Sequence, residues 1–143
     1  DFFEQVGIFD EDFFIFAEDV DINMRGQLQG FKCIYLPEAK VYHIGTATVG
    51  LYSDRYIYLC KRNDIFVLIR NYSLRMYFRH LWTILKHQFN DIKYFTYRGQ
   101  GIVLFKSKLD AFKMLLPMLF RRFRIQSSRT VPDSKIDPLI IKS

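Results

Sequence analysis

The chain has 143 residues, a formal net charge of +6, and a composition that is half hydrophobic and 17% aromatic. This length suits one ordinary domain, and this composition excludes an intrinsically disordered chain. The longest purely apolar run, residues 114–120, is far shorter than the roughly 20 residues that span a bilayer. The sequence therefore predicts no transmembrane helix.

Charge divides the chain into unequal parts. Residues 1–50 carry three basic and nine acidic side chains, whereas residues 51–130 carry sixteen basic and four acidic ones. We interpret residues 1–50 as one unit, 51–126 as a basic amphipathic helical region, and 127–143, which contains two prolines, as a loosely ordered tail. A basic region rich in aromatic residues is suited to an anionic surface.

The first predicted elements lie between residues 18 and 43. Val20, Met24 and Leu28 recur at helical spacing and predict a helix that starts near Glu18 and ends before Gly30. Residues 31–36 alternate like a strand, and residues 40–43 form a second short strand that ends at a histidine. Residues 45–50 are small and polar, as in a loop.

Helical periodicity dominates the rest of the chain. It predicts helices over residues 52–71, with Ser53 as the N-cap, over 74–89 and over 102–125. Residues 90–101 are interpreted as a connector, and Pro117 is expected to break or kink the last helix. The basic cluster at 121–124 fits either a membrane-interface helix or the solvated face of a helical bundle.

Three carboxylates at the predicted helix start are the main candidates for chemistry. Glu18, Asp19 and Asp21 lie within four residues, next to an aromatic run that excludes water. A carboxylate in such a position can act as a base, but acidic residues in the first turn also stabilise a helix dipole without any catalytic role. Two interpretations are also open for His43. Imidazole is a common metal ligand, but a single histidine is often packed in the fold without any ligand role.

The spacing of these residues resembles a known family. The pattern is similar to the C-terminal half of the catalytic domain of family 2 glycosyltransferases, in particular the rhamnosyltransferase-like bacterial members that build surface polysaccharide. It comprises Gly7, residues 9–11, 13–14 and 18–22, Arg25, Gly30, residues 37–39, Val41, His43, residues 45–48 and Gly50.

The resemblance implies a fold and a set of roles. The fold would be α/β: the C-terminal portion of a GT-A, Rossmann-like domain, followed by a mainly helical basic region. Asp19 would be the base that deprotonates the acceptor, with Glu18 its neighbour in the motif, and His43 would be a ligand of Mg²⁺ or Mn²⁺. The acceptor or substrate site would include Asp21, Thr46 and Thr48.

The resemblance also implies what the chain does and what it lacks. It predicts an inverting glycosyltransferase that transfers a sugar from a nucleotide-diphosphate donor to a glycan or lipid-linked acceptor in cell-surface polysaccharide synthesis. The nucleotide-binding half and its Asp-x-Asp motif would lie upstream of Asp1, so the isolated chain is expected to be an incomplete, inactive fragment. An Arg62-Asn63 pair on the next helix would pack against the active-site side.

An alternative remains open. The basic helices would then form a non-catalytic module that binds an anionic membrane surface or a partner protein. Their basic residues are spread around the helices without a nucleic-acid-binding motif, so no nucleic acid partner is expected. Either interpretation predicts a cytoplasmic protein with peripheral contact at the inner face of the cell membrane.

Overall fold

The computed structural model describes residues 1–43, 45 and 48–140. Within these residues the chain is helical. The α-helices are α1 (Phe2–Val6), α2 (Glu18–Leu28), α3 (Asp54–Asn71), α4 (Leu74–Tyr97), α5 (Gly101–Lys113), α6 (Leu115–Ser127) and α7 (Asp133–Ile136), with 3₁₀ turns at Glu11–Phe13 and Asp137–Leu139.

The predicted α/β fold is wrong, because no strand or sheet occurs anywhere in the described residues. The two segments predicted as strands, 31–36 and 40–43, form no regular structure. Tyr35 and Tyr42 are 85% and 98% exposed, and Val41 is 86% exposed. An apolar alternation becomes a strand only when a neighbouring strand satisfies its backbone and covers one face. The described residues provide no such neighbour.

Helix α3 is the centre of the structure, and α5 and α6 pack against it. The main core joins α3 to the 3₁₀ turn through Phe13 and Phe66, whose rings meet edge to face with centroids 5.9 Å apart. This packing ties the acidic first fifty residues to the basic helices. Two smaller clusters extend the core, one around Leu28 and one around Ile57.

The predicted helices after residue 50 are confirmed, with two differences in their bounds. Ser53 caps α3 as expected, since its hydroxyl accepts a hydrogen bond from the Tyr56 N–H at 3.1 Å. Helix α4 continues to Tyr97, through much of the predicted connector, because Phe95 is buried in the cluster with Ile57. That burial holds the last two turns of the helix in place.

The break between α5 and α6 falls at Met114, three residues before Pro117. Pro117 therefore lies in the first turn of α6, where backbone N–H groups have no partner within the helix. A proline costs little there, because the N–H that it lacks is not needed. Pro117 therefore lies at the start of α6 and does not interrupt that helix.

Residues 129–140 differ from the loosely held tail that the sequence predicted. Thr130 donates a backbone hydrogen bond to the Leu28 carbonyl at 3.0 Å, and Ile136 is buried against Leu28 and Met76. The segment therefore closes one end of the core. Among the described residues, none of the helices combines the length and the apolar character needed to cross a membrane.

Candidate active site

A strained turn leads directly into α2. Phe14, Phe16 and Ala17 have φ angles of 61°, 73° and 64°, in the left-handed region that non-glycine residues rarely adopt. Phe14, with ψ of −60°, is the centre of a tight γ-turn in which the Ile15 N–H donates to the Phe13 carbonyl at 2.7 Å. Such conformations cost about 1–3 kcal/mol each, so other parts of the fold must hold them.

The Arg62-Asn63 pair of α3 holds this turn. The Asn63 side-chain amide is fully buried and donates to the carbonyls of Phe13, Ile15 and Phe16 at 2.8–2.9 Å. The Arg62 guanidinium donates to the Asp12 carbonyl at 2.9 Å. We call Arg62 and Asn63 the turn clamp. The clamp satisfies backbone carbonyls that have no helical partner, and its position agrees with the packing role predicted from the sequence.

Glu18 and Asp19 follow the turn immediately and differ in their environments. Glu18 is partly buried, and its Oε2 is inaccessible and has no hydrogen-bond partner among the described residues. Asp19 is exposed, and its Oδ1 accepts a hydrogen bond from the Val20 N–H at 2.8 Å. No ion pair joins the Asp19 carboxylate to a described residue. Asp19 is therefore an available carboxylate on a rigidly held helix start.

Asp21 lies in the core, with no exposed surface. Its Oδ2 accepts from Arg25 Nε at 2.8 Å, and its Oδ1 accepts from Asn71 Nδ2 at 2.9 Å. Arg25 also donates to the carbonyls of Val6 and Ile8. Asp21 and Arg25 thus join α2 to α1 and α3, whereas the sequence predicted that Asp21 helps to form the acceptor site. The structural role predicted for Arg25 agrees with these contacts.

The remaining predicted site residues precede α3 in the sequence. His43 and Thr48 are both exposed, and Thr46 lies outside the described residues. Among the described residues no group of three His, Cys, Asp or Glu side chains is arranged to hold a metal ion. His43 supplies a single imidazole, so the described residues form no complete divalent-cation site around it, and the requirement for Mg²⁺ or Mn²⁺ stays a prediction. We derive no step through the metal.

A cavity of about 350 Å³ opens beside the start of α2. Ala17 and Val20, which flank Glu18 and Asp19 in the sequence, contribute to its wall. Opposite them lies a polar group that the sequence did not indicate. In this group Lys61 Nζ is 3.0 Å from the Asp91 carboxylate and 3.4 Å from the Asp64 carboxylate. The cavity therefore offers both apolar and charged contacts to a ligand next to the Glu18-Asp19 pair.

The charged group in this cavity is electrostatically coupled. The Asp64 side chain is half exposed, but desolvation by the surrounding atoms raises its pKa, and Lys61 opposes this effect only in part. Burial lowers the pKa of Lys61, but the carboxylates of Asp64 and Asp91 outweigh that effect and raise it. The i,i+3 spacing of Lys61 and Asp64 was the only signal for this pair in the sequence, and Asp91 reaches it only because α4 packs nearby.

A larger cavity, of about 780 Å³, is lined by residues of α1, α2, α3 and α6 and, like the smaller cavity, does not include Glu18 or Asp19 in its wall. Asp10 in its wall is paired with Arg70 at 2.9 Å and also with Arg121. Burial raises the pKa of Asp10, but these two guanidinium groups outweigh it and hold the pKa below its ordinary value. Arg25 and Arg124 also line this cavity, so its wall carries an excess of basic side chains. We assign the candidate site to the smaller cavity because Ala17 and Val20, which flank Glu18 and Asp19 in the sequence, line it.

Comparison with known proteins gives no further assignment. No protein-family model matches the chain, and neither a curated protein nor a solved structure matches it.

Proposed function

We propose that this chain supplies the acceptor-activating carboxylate of an inverting glycosyltransferase. The enzyme would transfer a sugar from a nucleotide-diphosphate donor to a glycan or lipid-linked acceptor in cell-surface polysaccharide synthesis. The observation that carries the proposal is the strained turn, held by the turn clamp, which ends at Glu18 and Asp19. Strain that is maintained by residues far away in the sequence is characteristic of sites that need a fixed geometry.

Asp19 is the base in this proposal. Its exposed carboxylate accepts the proton of an acceptor hydroxyl while the hydroxyl oxygen attacks the anomeric carbon of the donor sugar. The bond from that carbon to the diphosphate oxygen breaks on the opposite side, so the configuration inverts and the nucleoside diphosphate leaves. The acceptor would bind in the cavity lined by Ala17 and Val20, which flank Glu18 and Asp19 in the sequence.

Glu18 and Asp21 have different roles from Asp19. Glu18 has an inaccessible carboxylate oxygen without a partner among the described residues, so in this proposal it is the neighbour of the base and makes no direct contact with the acceptor through that oxygen. Asp21 acts indirectly, because its buried carboxylate fixes α2 through Arg25 and Asn71. A requirement for Mg²⁺ or Mn²⁺ with His43 as a ligand is implied by the family resemblance alone.

The test is a transfer assay on the product of the complete reading frame that contains residues 1–143. Replacing Asp19 with Asn keeps its size and removes its basicity, so turnover should fall roughly 10²–10⁴-fold while donor affinity is nearly unchanged. Glu11→Gln is the matched control, since it neutralises another exposed carboxylate and should leave turnover unchanged. An Asp19→Asn enzyme with near-parental turnover would exclude Asp19 as the base.

The metal requirement is tested by a separate donor-binding experiment. His43→Ala should weaken donor binding when Mg²⁺ or Mn²⁺ is present and have no effect when chelator is added. Equal donor binding by both proteins under both conditions would remove His43 from the proposal and leave the role of Asp19 standing.

A non-catalytic binding module is the second candidate function. The observation in its favour is the basic excess of residues 51–130, which carry sixteen basic and four acidic side chains. This candidate predicts that Asp19→Asn changes no measurable property, whereas loss of basic residues on the helices changes binding. The two candidates are therefore separated by different variants.

A further inference from the structure

Helix α4 exposes a continuous apolar stripe. The exposed side chains recur at spacings of three and four residues, so they share one face of the helix. Phe78 and Trp82 are 77% and 79% exposed, values unusual for large aromatic side chains. The stripe, which we call the α4 stripe, consists of Phe78, Leu81, Trp82, Leu85, Phe89 and Ile92.

A basic row borders the α4 stripe. Arg75, Arg79, Lys86 and Lys93 are exposed and spaced four, seven and seven residues apart, which aligns them along one side of the helix. Arg79 is paired with Asp137 of the second 3₁₀ turn, so the row's unpaired charge lies mainly on the other three residues. The only acidic residue in the sequence of α4 is Asp91, and it faces the packed side, where it pairs with Lys61 at 3.0 Å. The outer surface of α4 is thus apolar along one line and positively charged along the next.

We propose that α4 docks this protein on an anionic lipid membrane, with the α4 stripe in the interface and the basic row at the headgroups. An apolar stripe with Trp and Phe beside a row of Lys and Arg is the pattern of a helix that lies in the plane of a membrane surface. Anionic headgroups complement the basic row, and each basic residue near the surface adds to the attraction. This inference rests on α4 and does not depend on the role of Asp19.

Charge argues against a second copy of the chain as the occupant. A copy seated on the same stripe would bring its own basic row against this one, and like charges across an interface are unfavourable. Phe105, Phe112 and Phe123 on helices α5 and α6 are also 66–73% exposed among lysines and arginines. A lipid surface tolerates such a scatter of exposed apolar residues.

Trp82 provides a direct test, because it is the only tryptophan in the chain. Its fluorescence should shift to the blue when vesicles that contain phosphatidylglycerol are added, and lipids brominated on the acyl chain should quench it. Pure phosphatidylcholine vesicles should produce a much smaller shift, and added salt should reverse binding.

Matched variants locate the surface. Lys86→Gln with Lys93→Gln should weaken vesicle binding about fivefold for each lysine, the change that corresponds to about 1 kcal/mol per basic residue. Lys32→Gln with Lys40→Gln removes the same charge at exposed positions away from α4 and should leave binding unchanged. Phe78→Ser with Phe89→Ser should reduce binding while Trp82 still reports it, and Tyr35→Ser with Tyr42→Ser is the apolar control.

Three results would overturn the proposal. One is a Trp82 spectrum that anionic vesicles do not change. Another is an equal shift with neutral and anionic vesicles, which would remove the role of charge. The third is a blue shift that grows with protein concentration in the absence of vesicles, because a second copy would then cover the stripe.

Discussion

The buried side-chain amide of Asn63 donates to the backbone carbonyl of Phe16 at 2.8 Å, although the two residues are 47 positions apart in the sequence. Phe16 has a φ of 73° and is followed by Ala17, also in the left-handed region. The contact therefore fixes the conformation from which Glu18 and Asp19 emerge. Any role of these carboxylates depends on helix α3 as much as on their own segment.

Replacing Asn63 with Ala should lower the free energy of unfolding by about 1–3 kcal/mol, because buried carbonyls would lose their donor. Urea unfolding followed by circular dichroism measures this change. Asn90→Ala is the matched control, since Asn90 is exposed on α4, and it should change stability by no more than about 0.5 kcal/mol. Equal effects of the two substitutions would mean that the turn does not need Asn63.

Replacing Asp21 with Asn should be more severe. The fully buried carboxylate accepts from Arg25 at 2.8 Å, so its loss leaves the buried Arg25 guanidinium without its counter-charge, whereas Arg70, 3.7 Å from Asp21, keeps its closer pair with Asp10. Removal of one partner from a buried ion pair typically costs about 3–5 kcal/mol. Thermal and urea unfolding would measure the loss.

Asp19→Asn is the control for Asp21, because the same chemical change is made two residues away on an exposed side chain. It should alter stability by no more than about 0.5 kcal/mol. If Asp19→Asn were as destabilising as Asp21→Asn, the assignment of the first residue to the surface and of the second to the core would be wrong.

Asp10 should make stability fall in acid. Burial raises its pKa, but Arg70 and Arg121 outweigh burial, so the folded-state pKa lies below the ordinary value of 3.8. A depressed pKa means that the folded state binds fewer protons than the unfolded state in this range. The stabilisation is complete above about pH 4 and is lost as the pH falls through the folded-state pKa.

The Asp10→Asn variant should therefore show a shallower loss of stability below about pH 4 than the parent chain, and lower stability at neutral pH. Urea unfolding at a series of pH values measures both. Glu11→Gln is the neighbouring control, because its exposed carboxylate is in no ion pair with a described residue. The free energy of unfolding of this variant should fall with pH in acid as steeply as that of the parent chain. A parental slope in Asp10→Asn would contradict the pairing with Arg70 and Arg121.

Local sequence signals predicted the helices well. Ser53 was predicted as an N-cap because a hydroxyl followed by an acidic first turn is a strong local pattern, and its hydroxyl accepts from the Tyr56 N–H as expected. Helix α4 extends eight residues beyond its predicted end because Phe95 is buried against Ile57 and Leu104. Contacts of that kind are made with other helices, so the periodicity of the segment itself does not predict them.

The candidate site was only partly predictable for the same reason. The sequence identified Glu18 and Asp19 at a helix start, and the structure agrees with that position. It predicted different roles for Asp19 and Asp21 but not that Asp19 is exposed and Asp21 fully buried, because that difference depends on where Arg25 and Asn71 lie. The sequence did not predict the Lys61-Asp91 ion pair, because the two residues lie on different helices.

Residues 31–43 provide the last prediction, because their alternating pattern predicted strands and none occurs among these described residues. From Lys32 to Glu38 no backbone N–H donates to another described backbone group, and Tyr35 is 85% exposed. Amide protons in this segment should exchange with solvent at an opening free energy near 0 kcal/mol. Those of Phe66 and Val67 in α3 should exchange at an opening free energy near that of global unfolding.

Hydrogen exchange read by mass spectrometry measures both, and trypsin should cut first after Lys32 and Lys40 rather than after Lys61. The measurement should be made over a range of protein concentrations, because an exposed apolar alternation is also a template for pairing with another chain. Protection of residues 33–36 in dilute solution would contradict the irregular conformation and require a strand partner within the chain.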